Sequence, residues 1–146
     1  MSKFNRLSIL IFLCLLGCTI NSDTQIIRIE FEYTTITNGH VEQILEGKKT
    51  YKEYVPLKSY FKLKSGKQGH EEIIYVTQDF KKKLVPFNSY KEDDLSMTIE
   101  SIDPISNEKY TFFIFFREYR MFVRYSINDK QYEAVHKFSH KTMTVK

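Results

Sequence analysis

The sequence predicts a mainly β fold, an antiparallel β-sandwich or a barrel-like meander with one or two short helices. Three stretches carry that expectation. In Ile26–Thr37, Ile27, Ile29, Phe31 and Tyr33 fall on one side, and Arg28, Glu30, Glu32 and Thr34 on the other. A period of two is the pattern of a strand with one face in water. Leu95–Ile102 repeats it through Leu95, Met97 and Ile99. Tyr110–Phe116, YTFFIFF, is apolar on both faces, which places it at the centre of a sheet, covered on both sides.

The chain starts differently. Lys3 and Arg6 precede an apolar run, Leu7–Leu16, broken only by Ser8. That run is about half the ~20 residues a membrane-spanning helix needs, so it reads as a secretory signal. It closes on Leu15-Leu16-Gly17-Cys18. This end resembles the lipobox of bacterial lipoproteins, in which a small residue precedes a cysteine. The resemblance covers the first 18 residues alone. It implies cleavage between Gly17 and Cys18 and acylation of Cys18 with diacylglycerol, palmitate-type chains holding the protein to a membrane. Cys14 follows the bulky Leu13 and should leave with the signal.

The expected organisation is a removed signal at 1–17, a lipidated cysteine and tether at 18–25, and one β-rich domain over 26–146. The tether, Thr19–Gln25, reaches about 25 Å when extended. Thr19, not an acidic residue, follows the cysteine. By resemblance to Gram-negative sorting rules this favours the periplasmic face of the outer membrane. The expected location is therefore the cell membrane or the outer membrane, lipid-anchored, with the domain outside the cytoplasm.

Further strands are expected at Tyr51–Leu57, Ser59–Lys64 and Glu71–Thr77, and a hairpin at Met121–Ile127 and Gln131–Phe138 across Asn128-Asp129-Lys130. Asn38-Gly39 signals a turn into His40–Leu45, which fits either a return strand or a short helix. Phe80 and Leu84, spaced i,i+4, suggest a helical turn or two over Gln78–Leu84. Asn88–Asp94 reads as a polar loop.

Composition bounds function. The precursor charge of +4 falls to +2 without Lys3 and Arg6, too little to argue for nucleic acid. Lipid on Cys18 leaves the mature chain no thiol, so no disulfide and no cysteine nucleophile are expected. His136 and His140 stand four apart, but on a strand that spacing is about 13 Å, too far to share a metal. Glu92-Asp93-Asp94 lacks the spaced ligands of a calcium loop. Lys81-Lys82-Lys83, with Lys58, Lys62, Lys64 and Lys67, reads as a solvated face or a charged edge strand, the alternative being a contact with anionic headgroups. No G-x-S-x-G, P-loop, H-E-x-x-H or C-x-x-C occurs. No cofactor, metal or catalytic residue is expected.

The expectation is thus a non-catalytic, membrane-anchored module that binds an envelope protein or ligand. Tyr51, Tyr54, Tyr60 and Tyr90, set among charges in the segments least patterned for core, are the candidate contact residues. The alternatives are an immunity or inhibitor lipoprotein, with Ser89–Asp94 as the plugging loop, and a small hydrolase.

Overall fold

The computed structural model describes residues 24–38 and 50–146. Gly17, Cys18, nearly all of the tether and the segment His40–Leu45 lie outside the described residues. Within them the regular structure is almost all antiparallel strand. The strands are β1 (Gln25–Glu30), β2 (Tyr33–Thr37), β3 (Lys52–Tyr54), β4 (Tyr60–Gly66), β5 (Gly69–Val76), β6 (Lys81–Asp93), β7 (Ser96–Ile102), β8 (Lys109–Phe115), β9 (Arg120–Ile127), β10 (Lys130–Lys137) and β11 (Met143–Val145). The expected fold class is the one observed, in its meander form.

From β4 to β10 each strand pairs with the next in sequence, so the sheet is a run of hairpins. Their turns have local causes. Asn128 and Asp129 both take positive φ between the paired Ile127 and Lys130, the geometry of a tight two-residue hairpin. Gly69, at φ +110°, closes the β4–β5 turn opposite Gly66.

β1 and β2 are one strand bent at Phe31-Glu32, and this bend curls the sheet. Its first half pairs with β4 and β11, its second half with β3 and β10. At the bend, the Phe31 amide donates to the Ser59 carbonyl and the Glu32 amide to the Lys137 carbonyl. Both ends of the ladder therefore meet on Gln25–Thr37.

Alternation decides what lies inside. Ile27, Ile29, Phe61, Leu63, Ile73, Tyr75, Leu84, Ile99, Tyr110, Phe112, Ile114, Met121 and Val123 form the enclosed core. Phe112 is fully buried, its ring 5.1 Å from Phe61 and 5.2 Å from Tyr75.

Four expectations are corrected. Gln78–Leu84 is not helical; a short turn leads into β6 at Lys81. Asn88–Asp94 is mainly strand, since β6 runs to Asp93. Tyr51–Leu57 is strand only over Lys52–Tyr54. The expected α-helices reduce, among the described residues, to a short 3-10 turn at His140–Thr142.

Among the described residues the wall is interrupted along β6. β6 pairs with β5 only over Lys81–Leu84, then bulges at Pro86 and continues to Asp93 on β7 alone among the described residues. A cleft of about 360 Å³ separates Pro86–Ser89 from the β4–β5 turn at Gln68–His70.

Candidate functional site

Register lays an aromatic face on the outside of the wall. On β8, Tyr110, Phe112 and Ile114 point inward, so Phe113 and Phe115 point outward. Phe113 stands opposite Phe122 of β9, and the Phe115 and Phe122 rings meet edge to face at 5.6 Å. All three are half-buried, so the strand expected to be covered on both faces is fully enclosed on its inner face only. Two residues beyond Phe122 on β9, Arg124 holds its guanidinium 5.2 Å from the Phe113 ring centre. It also reaches the Glu133 carboxylate, Nε to Oε2 3.5 Å. Phe113, Phe115, Phe122, Arg124 and Glu133 line a shallow depression of about 200 Å³. Glu133 is buried although it points outward, because Arg124 lies beside it. A face of aromatic rings with an arginine over one of them, fixed on strands, can hold another surface by desolvation and cation–π contact.

The four candidate tyrosines do not form one site. Tyr51 lies where β2 finishes and β3 begins, whereas Tyr54 ends β3 opposite Thr34, near the start of β2. Tyr51 is exposed and its ring meets Tyr132 at 5.5 Å. Tyr132 stacks on Tyr125, and Tyr125 on the buried Tyr110. Tyr54 is half-buried against the core, and its hydroxyl accepts from the Gln78 amide. Tyr60 sits on the outer wall under the Arg28 guanidinium, 3.8 Å away. Tyr90 is exposed on the far half of β6, beyond the cleft.

The titratable groups inside the sheet serve packing. His136 is fully buried, stacked on Phe31 at 3.8 Å. Its Nδ1 pairs with the Thr34 hydroxyl at 2.8 Å and its Nε2 with the Tyr75 hydroxyl at 2.6 Å. Burial favours the neutral ring and pushes its pKa down to about 3. Both nitrogens are thus occupied, and the ring has no solvent-facing surface for acid–base work. Lys82, one of the three consecutive lysines, points inward to Asp103 at 2.8 Å, while Lys81 and Lys83 are exposed. That hydrogen bond, with those from the Ile105 amide and the Ser106 side chain, holds the Asp103 carboxyl down at about 2. Among the described residues no three His, Cys, Asp or Glu side chains converge as a metal site would require. Nor is any helix there long and apolar enough to cross a membrane.

Sequence reasoning missed the outer aromatic face. The signal was present in the odd positions of Tyr110–Phe116 and in Phe122. What joins them is the cross-strand register. Comparison with protein-family models, curated proteins and solved structures finds no match for the chain.

Proposed function

We propose that this chain is a lipid-anchored envelope protein that works by binding a protein partner through its outer aromatic face, without catalysis of its own. The observation that carries the binding role is the cluster of Phe113, Phe115 and Phe122, with Arg124 over the Phe113 ring, outward on strands whose inner faces are buried core. Phenylalanine side chains have little reason to face water on both β8 and β9 unless a partner covers them. The anchor rests on Gly17-Cys18 closing the short apolar run. Gln25 enters the sheet at the end of the bent strand opposite Tyr51. The inhibitor reading required a plugging loop at Ser89–Asp94, and most of that segment is strand.

Two measurements test the proposal. Mass spectrometry of the mature N-terminus should find a diacylated Cys18; a mature chain starting elsewhere removes the anchor. A pull-down from membrane extract should recover a partner that Phe122→Ala loses roughly tenfold or more, with the unfolding midpoint unchanged. Equal capture by Phe122→Ala refutes the aromatic face as the contact.

A further inference from the structure

The interruption in the wall exposes backbone as well as side chains. The Asp103 amide donates to the Glu108 carbonyl, and the Phe116 amide to the Leu95 carbonyl. These two bonds fix the phase of β7: its odd-numbered residues turn their backbone groups to β8, and Thr98, Glu100 and Ile102 turn theirs to β6. Their register partners on β6 are Tyr90, Asn88 and Val85. Ser89 lies between two of these, so its N–H and C=O point away from β7, into the cleft. No ladder partner meets that edge among the described residues. Pro86, which has no N–H, limits the edge on one side.

We propose that this cleft binds an extended segment of a partner protein by strand addition along β6 at Phe87–Tyr90, with an apolar residue packed beside Phe87. Backbone groups with no partner are a template for another strand. The opposite wall of the cleft, Gln68–His70, belongs to the β4–β5 turn. Phe87, 54 % exposed, offers an apolar contact along the same edge. Tyr90 shares a cross-strand row with Phe113 through Thr98, so the edge is two strands away from β8, and the two contacts can fail independently.

The test pans a display library of random ten-residue peptides against the full chain. Support is an enriched peptide that slows amide exchange at Phe87–Tyr90 and loses roughly tenfold or more in affinity when N-methylated at every second position, but not between. Ser89→Pro should lose the same peptide, whereas Phe122→Ala should keep it. The N-methyl scan uses the wild-type protein, so it decides the matter even where Ser89→Pro fails to fold. The proposal is overturned if no peptide is enriched, if protection falls elsewhere, or if N-methylation shows no period of two. Protection of Phe87–Tyr90 by phosphatidylglycerol vesicles and by no peptide overturns it equally, marking the cleft as a membrane contact.

Discussion

Acid should weaken this fold from just below neutrality, and His136 is the reason. Folded, the ring is neutral, enclosed by Phe31, Tyr75 and Thr34, with its pKa near 3. Unfolded, it returns to the ordinary histidine value of about 6.5. Between those values the unfolded chain binds more protons than the folded one. Stability is therefore complete above the unfolded pKa and is lost as pH falls towards 3. The slope is at most about 1.4 kcal/mol per pH unit, so about 2 kcal/mol should go between pH 6.5 and pH 5. His70 adds in the same sense, since burial and then Lys91 lower its pKa. Urea unfolding midpoints measured from about pH 7 to pH 5 read the effect, and His70→Gln isolates it. His136→Gln starts from a lower stability, because Thr34 and Tyr75 lose a buried partner, but its pH slope should flatten. Stability independent of pH in this window, or a His136 ring titrating near 6.5 by NMR in the folded protein, would refute the reasoning.

Three other perturbations have expected sizes. Phe112→Ala should cost about 3–5 kcal/mol in urea unfolding, because its fully buried ring supports Phe61 and Tyr75. Asp103→Asn should cost about 1–3 kcal/mol at neutral pH by stranding Lys82, and Lys82→Met should recover part of that loss in a double-mutant cycle. Gly69→Ala should cost about 1–3 kcal/mol from backbone strain alone, since its added Cβ meets open space, and a thermal melt will read it.

The inner face of the sheet was legible because its alternation has one cause, a dry side and a wet side. Ile27–Phe31 carries that pattern without interruption, and Met97 and Ile99 face the core although Thr98 between them is also covered. Asn88–Asp94 misled because the far half of β6 stands largely exposed, with no apolar face to reveal a strand. Phe80 and Leu84 misled for a different reason: positions i and i+4 share a face in a strand as well as in a helix. Tyr54 and Tyr60 have equal parity, yet one packs on the core and the other lies outside. The link between them, with Lys58 at φ 56°, shifts the phase. His136 was legible as a strand residue, but its partners Thr34 and Tyr75 lie 102 and 61 positions away. The aromatic face has the same difficulty, because Phe113 meets Phe122 only once the β8–β9 register is known.

The bent strand Gln25–Thr37 also sets an order of events. It is made early, and its β3 and β4 neighbours follow soon after it. Its other flank waits for Lys130–Lys137 and Met143–Val145, more than ninety residues later. Until those residues arrive, Ile27, Ile29 and Ile36 have only half of their sheet, and one edge of the first strand is open to pairing with another chain. Closing so long a loop has a large entropic cost before any contact compensates for it. Folding should thus be slow, in the millisecond-to-second range of non-local β-proteins, and limited by the last strands docking on the first. A nascent chain stalled before Lys130 is the form of this protein most exposed to aggregation.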